Sequence, residues 1–520
     1  MTDNTYLLGI DFGTESVRAA IFDLAGRPVA FAATAYRTTH PHPGWAEQDP
    51  NEWWEALQAS CRKVLSASGV SPSAIKGISY DATTMTVVAM DKRGEALRPA
   101  IMWMDVRATE QAARAESSDS VARLYNGQGT APATAEWYPF KAAWLRENER
   151  ETYDSAFRLV DAPDWVTYKL TGEWTTNINS AALRMYYNRN HGGWPVDFYE
   201  TIGCGDVFDK IPERVVDLGT PVGELSVIAA QLLGLRPGTP VAQGPADAWA
   251  GQIGLGVVDP GVMALITGSS HVLTGQTDKP IHGKGFFGAY TDGVVKGQYT
   301  VEGGQVSTGS VLKWFKDNFA RDLTQAAEVT GLNVYDLLNK QSRDLPPGSE
   351  GLIINEYFQG NRTPYTDSKA RGIIWGLSLH HGPAHIYRAI QESVCYGTAH
   401  NLRAMSAAGF EVKKIVAAGG ATKSRDWMQM HADVTGVPIA LTEVGDAVVL
   451  GSCMLAAVGA GLYSDLGAAA KEMVHEIDLL EPDRQRHEEY QYYVDAYANT
   501  YPQLQPMIHD MVDHQNARRG

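Results

Sequence analysis

Residues 415–424, "IVAAGGATKS", carry an apolar strand into Gly419 and Gly420 and on to Ala421 and Ser424, whose hydroxyl can cap the helix that follows. A strand, a glycine pair and a helix N-terminus together let backbone N–H groups come close to a nucleotide. The same letters also suit a tight strand-to-helix turn that binds nothing. Two other stretches place small polar residues between apolar runs. "LLGIDFGTESVRAAIFD", residues 7–23, sets Asp11 beside Gly13 and Thr14, and "GVMALITGSSHVLTGQTD", residues 261–278, sets Thr267, Gly268 and Ser269 at a matching place. Each reads as a hairpin with a polar turn, a motif that also serves as a plain connector. Occurring twice, it points to two domains built on related plans, each offering a polar turn to a shared cleft.

The elements that must position these turns follow from hydrophobic pattern and punctuation. "YLLGI", "VRAAIFD" and "VAFAATAY" read as consecutive strands separated by "DFGTES" and "LAGRP". Next, Asp49 is placed to cap a helix that begins at Pro50, with Glu52 closing a capping box. Trp53, Leu57, Cys61 and Val64 fall on one face of that helix. A second helix starts at Pro383 and carries Ile386, Ile390, Val394 and Leu402 at helical spacing.

Composition narrows the function. A chain of 520 residues with 44% hydrophobic content is too long for a single core. Lys and Arg number 44 against 60 Asp and Glu, a net charge of −16, which argues against general binding to nucleic acid or anionic membrane. Cys61, Cys204, Cys395 and Cys453 are far apart and form no C-x-x-C pair, so neither a disulfide framework nor a thiolate zinc site is expected. No signal-like segment opens the chain and no apolar run of about 18 residues occurs, so a cytoplasmic protein is expected. The G-x-x-x-x-G-K-[ST], H-E-x-x-H and G-x-S-x-G motifs are absent. One G-x-G-x-x-G, at Gly283, Gly285 and Gly288, leads into a strand-like segment and so lacks the context of a dinucleotide site.

Taken in order, the motifs resemble the FGGY family of carbohydrate kinases over nearly the whole chain. "GIDFGTESVRAAIFD" is similar to the family's N-terminal phosphate turn, "GWAEQDPNEWW" to the helix after it and "LRPAIMWMDVRA" to the stretch after the sugar loop. "RGIIWGLSLHHGPAHIYRAIQE" resembles the second family signature except at Gln391, where an apolar residue is usual. "KAAWLREN" resembles the latter half of the first, with Ala142 small for its place. The resemblance implies an α/β fold of two actin-like, ribonuclease-H-like domains, residues 1–250 and 251–520, with ATP and sugar meeting in the cleft between them.

It also implies roles. Asp11 would help hold hydrated Mg2+ together with Asp247, Gly13 and Thr14 would form one phosphate turn, and Thr267, Gly268 and Ser269 the facing one. Transfer to a sugar hydroxyl calls for a carboxylate to take its proton, and Asp247 in "AQGPADAWAGQIGLG" matches the family's catalytic aspartate. On residue type alone an acid in such a glycine-rich loop is more often a turn former. In "SYDATTM", Asp81, Ala82 and Thr83 resemble the D-A-T segment of the D-ribulose kinase branch. Lys141 and Glu302 are expected to donate to and accept from the sugar, and Trp137 to stack on it. Gly309, Lys313, Gly419, Gly420, Ala421 and Ser424 match nucleotide contacts, although Lys313 replaces a residue that is often glutamine.

The expected reaction is ATP-dependent phosphorylation of a ketopentose such as ribulose. Xylulose or a four-carbon polyol is the alternative within the family, and an actin-superfamily nucleotide switch the alternative outside it. The expected partners are the small sugar or polyol and ATP, and a homodimer is compatible with this reading.

Overall fold

A computed structural model describes residues 5–443 and 445–518. Its first sheet is built from Tyr6–Phe12 (β1), Ser16–Asp23 (β2), Pro28–Ala35 (β3), Ile75–Ala82 (β4), Pro221–Glu224 (β5) and Pro240–Ala242 (β6), in the spatial order β5-β6-β4-β1-β2-β3. β1, β2 and β3 form an antiparallel meander, while β4 lies parallel to β1 and β6 parallel to β4. The second sheet contains Val262–Thr267 (β7), His271–Thr277 (β8), Phe287–Thr291 (β9), Tyr299–Gln305 (β10), Lys414–Gly419 (β11), Ile439–Thr442 (β12) and Glu476–Leu480 (β13), in the order β9-β10-β8-β7-β11-β12-β13. Here again an antiparallel hairpin comes first, and β11 then runs parallel to β7 and β12 parallel to β11. The two polar turns therefore occupy equivalent corners of two sheets with the same plan.

Alternation along β1 explains how the first corner is aimed. Leu8, Ile10 and Phe12 join the core under the helix Pro50–Ser68, together with Trp53, Leu57, Cys61 and Val64. Leu7 faces the other way, into a core shared with Val449 and Cys453, so Asp11 follows on that second face. Asp49 caps the helix by accepting from Asn51 N at 2.9 Å. The expected capping box does not close, because a Glu52 carboxylate oxygen accepts from Arg37 N instead, at 3.3 Å. All four cysteines are buried and free. No described helix is long and apolar enough to cross a membrane.

Two helices exchange places between the sheets. Asp247–Gly254 (α1) follows the first sheet and packs on β7 and β8 of the second. Ala447–Gly459 (α2) follows β12 of the second sheet and packs on β1 and β4 of the first. They cross where a Cβ on Gly254 would overlap Ala447 O and one on Gly451 would overlap Ala250 O. Both obstacles are backbone atoms, which cannot rotate away. We expect Gly451→Ala to cost about 1–3 kcal/mol or more, as overpacked cores do, and to lower the thermal midpoint. Gly382→Ala, where an added Cβ meets nothing within 4 Å, is the control. Melts at one scan rate check the pair, and equal midpoints for the two variants would contradict the reading.

Candidate active site

Asp11 closes β1 and pairs in register with Asp81 at the end of the parallel β4 and with Arg18 on the antiparallel β2. Arg18 makes an ion pair with Asp11 and reaches Asp446 Oδ2 at 2.7 Å with its other amine. Asp81 Oδ2 accepts from Ser452 Oγ on α2 at 2.7 Å, while its Oδ1 has no partner. Burial raises the Asp11 pKa above the usual carboxylate range despite the opposing Arg18. Asp81 is raised further, by burial first and then by the neighbouring Asp11 charge. In the turn itself, Gly13 N donates to Ser16 O at 3.1 Å and Gly13 O accepts from the Tyr36 hydroxyl. Thr14 Oγ1 accepts from Trp103 Nε1 at 3.0 Å.

The facing corner is built the same way. Thr267 ends β7 in register with Gly419. Its Oγ1 donates to Ala418 O at 2.7 Å and accepts from Ala421 N at 3.0 Å, so one hydroxyl ties the turn to the glycine-rich loop. A side chain at Gly419 would overlap Thr267 O, and one at Gly309 would overlap Gly268 O. Ser269 O accepts from Thr308 N at 2.9 Å and from Ser310 N at 3.2 Å. Ser424 caps the helix Arg425–Thr435 through Trp427 N at 3.3 Å, as its position predicts.

Gly268, Gly309, Gly420, Ala421 and Ser424 line one cavity of about 260 Å³, whose far side carries Asn339, Tyr387 and Gln391. Lys313 does not join them. It lies exposed on the helix Gly309–Phe319 and pairs with Asp317 one turn along.

A second cavity of about 310 Å³ lies on the other side of the 268–270 turn, with Ser270 in its wall. It gathers Thr83, Trp137, Asp247 and Glu302 of the expected sugar residues. Asp247 is the first residue of α1 and its Oδ1 accepts from Ala248 N at 2.7 Å. Burial, then the Asp11 charge, push its pKa up to about 6. Asp81 is turned away toward Ser452. Ala82 is fully buried, bridges to Ala246 and donates from its N to Pro245 O at 3.3 Å, which holds the segment leading into Asp247.

Lys141 is also absent from the cavity wall. It is completely buried, and its Nζ donates to Met85 O, Met102 O and Trp103 O at 2.8, 2.6 and 3.1 Å. An ammonium group has three donors and all are used, so the expected donation to a sugar is replaced by bonds to backbone.

This wall carries two cations, Arg362 and, paired with Glu302, Arg184, which the sequence reading missed. Its Nη2 donates to Glu302 Oε2 at 2.7 Å, and the guanidinium sits 5.3 Å from the Trp137 ring centroid and 4.9 Å from that of Trp249. The available signal was a lone arginine closing the apolar run "INSAALRM", because a charge in such a run must find a buried partner.

Asp11, Asp81 and Asp247 thus bring together hard carboxylate oxygens, with Asp11 Oδ1 and Asp81 Oδ1 both without a hydrogen-bond partner, in a buried place where their own charges repel. That donor set suits Mg2+. Among the described residues, another group with ligand-like spacing is Glu350, His380 and His385. There His385 Nδ1 accepts from Gly382 N at 3.1 Å and its Nε2 lies 3.3 Å from the Glu350 carboxylate, a helix-capping network instead of a ligand set.

Residues 6–254 match the model of the N-terminal domain of the FGGY family of carbohydrate kinases, and residues 263–460 match its C-terminal domain. A ribulokinase of Anoxybacillus flavithermus is 31% identical over 510 residues, covering 90% of this chain and 89% of that protein. An FGGY carbohydrate kinase domain-containing protein of Homo sapiens is 31% identical over 509 residues, covering 90% and 91%. Among solved structures, the xylulose kinase from Rhodospirillum rubrum superposes with a TM-score of 0.86 at 26% identity, covering 97% of this chain and 100% of that one. With both halves matched in order, the protein belongs to the FGGY family of carbohydrate kinases and is a phosphotransferase.

Proposed function

We propose that the protein transfers the γ-phosphoryl group of ATP to a hydroxyl of a ketopentose, with D-ribulose the first substrate to test. The observation that carries this reading is the position of Asp247. Its carboxylate lines the cavity walled by Trp137 and the Arg184–Glu302 pair, and the 268–270 turn gives Ser270 to that cavity and Gly268 to the one lined by Gly309 and Gly420. Similarity to ribulokinases and xylulose kinases supports a five-carbon ketose as acceptor. The segment 79–85, with its D-A-T, favours ribulose. We assign the sugar and the first phosphate turn to residues 1–250 and the nucleotide to residues 251–520.

In this mechanism the sugar lies against Trp137, Glu302 accepts from one of its hydroxyls, and Arg184 donates to an oxygen. The reacting hydroxyl donates to Asp247. As its oxygen forms a bond to the γ-phosphorus, its proton passes to the Asp247 carboxylate, and the bond from that phosphorus to the bridging oxygen breaks to release ADP. Gly13, Thr267 and Gly268 close the two phosphate turns through their own N–H or hydroxyl bonds, and Thr14 and Ser269 within those turns face the phosphates. Mg2+ held by Asp11 and Asp247 would neutralise phosphate charge when bound. Asp81 stands behind Asp11, held by Ser452 Oγ.

ADP release measured against a panel of ketopentoses, tetruloses and polyols tests the assignment. Turnover with a ketopentose, highest with ribulose, is expected, whereas sugar-independent ATP hydrolysis alone would overturn it. Asp247→Asn should leave ATP affinity within about twofold and lower kcat by two to four orders of magnitude, the usual range for losing a general base. Near-normal turnover in this variant would exclude Asp247 as the base. The raised Asp247 pKa has a definite sign. The group accepts a proton only when ionised, so kcat at saturating sugar should rise through pH about 6 and level off above it. A profile already flat from pH 5 upward would count against this.

A further inference from the structure

We propose that Lys141, the lysine of "KAAWLREN", is a positioning residue that ties together three walls of the second cavity and so sets sugar affinity. This rests on reading that cavity as the sugar site. The lysine lies in the first turn of the helix Tyr138–Asn148, whose preceding residue is Trp137. Trp137 O accepts from the backbone N of Phe140 and of Lys141, at 3.2 and 3.4 Å. The same short segment therefore carries the aromatic wall and the ammonium.

From there the ammonium reaches two loops. One is the segment 83–86 between β4 and the strand Val87–Met90, where Thr83, Thr84 and Met85 line the cavity. The other follows the strand Ala100–Ile101 and contributes Trp103. The strands leading out of these loops pair only at Val87 and Ile101, so the sheet ladder alone gives the loops little mutual support. Lys141 supplies it by accepting no contact of its own from the cavity and giving all three N–H groups to Met85 O, Met102 O and Trp103 O. Met85 has φ of 61°, a left-handed conformation that costs a side-chain-bearing residue energy and persists only where its surroundings hold it.

The link extends past the sugar. Trp103, fixed at its carbonyl by Lys141, donates from its ring to Thr14 Oγ1 in the first phosphate turn. One buried cation thus sets the spacing of Met85, Trp103 and Trp137 and, through Trp103, the placement of Thr14.

Burial lowers the Lys141 pKa to about 7, opposed by the charges of Asp105, Glu136 and Asp161 and reinforced by Arg107. Below that pH the ammonium serves all three carbonyls. Above it a neutral amine has two N–H groups for three acceptors, and one carbonyl loses its partner.

Lys141→Met in the full-length chain keeps the apolar stem and removes the donors. With whichever ketopentose the wild type turns over, its KM should rise at least tenfold while KM for ATP stays within twofold. In the ligand-free protein, amide exchange over 83–86 and 102–105 should accelerate at least tenfold. A lysine that merely supports the fold would lower kcat through a smaller active fraction and leave both KM values unchanged. That result, or unchanged exchange in both segments, overturns the proposal. Should the variant not fold, the wild type decides: its sugar KM should rise several-fold between pH 6.5 and 8.5 with KM for ATP flat, and a flat sugar KM overturns the proposal. If the wild type turns over no ketopentose, the function proposed above fails, while the exchange comparison still tests the clamp.

Discussion

The contact of α1 with α2 is the constraint on which the rest of the site depends. Each helix leaves the sheet that precedes it and packs on the other, and they meet backbone to backbone at Gly254 against Ala447 and Gly451 against Ala250. Because no side chain intervenes, little slack remains in the separation of the two sheets at this point. Asp247 opens α1, and Ser452 on α2 donates to Asp81. The carboxylate in the cavity and the acids at the strand ends therefore take their relative positions from one helix crossing. The corner turns can be small because larger elements already aim them.

That crossing also produces the electrostatics. Asp11, Asp81 and Asp247 come from three elements that converge there, and among the described residues Arg18 is the one cation paired directly with any of them. For each acid, burial is the first cause of the raised pKa and a neighbouring acid contributes further. Asp11 also has Arg18 to hold it down, whereas Asp247 faces the cavity and receives one backbone N–H. Asp247, raised to about 6, titrates just below neutrality, and a cation between Asp11 and Asp81 would favour the ionised forms that burial and mutual repulsion oppose. Two carboxylates on adjacent parallel strands are unfavourable as a purely structural feature, and their retention at full burial makes sense where a cation offsets them.

Local backbone chemistry was legible in the sequence, and long-range partnership was not. Ser424 as a cap, Pro383 and Pro50 as helix starts, and the two hairpin turns all express preferences that a few consecutive residues settle, and the structure has each of them. Glu52 shows the limit even at short range. Its capping box competes with an amide from Arg37, which approaches only after the sheet has formed. Lys141 and Arg184 show it more strongly. A lysine and an arginine in neighbouring helices look interchangeable as sugar donors until the fold reveals that one is encircled by carbonyls and the other stands between two tryptophans against Glu302. Lys313 is the opposite case: a residue in a matching stretch that helical periodicity turns to solvent. For Lys141 and Arg184, nothing within three or four residues encodes which partner the charge meets, whereas Lys313 finds Asp317 one turn away.

The two cavities are neighbours without being one space, and the 268–270 turn between them carries the consequence. Gly268 belongs to one wall and Ser270 to the other, while Ser269 O is held by amides from the start of the helix Gly309–Phe319. A group extending past this turn from the nucleotide side would arrive opposite Asp247. Trp103 lines the second cavity and bonds to Thr14 of the first turn. Each polar turn is thus attached to the cavity proposed for the sugar, one through its own backbone and the other through an indole. Filling the cavity would stiffen both turns at once, so that phosphoryl transfer to a sugar is favoured over transfer to a stray water that cannot brace Trp103.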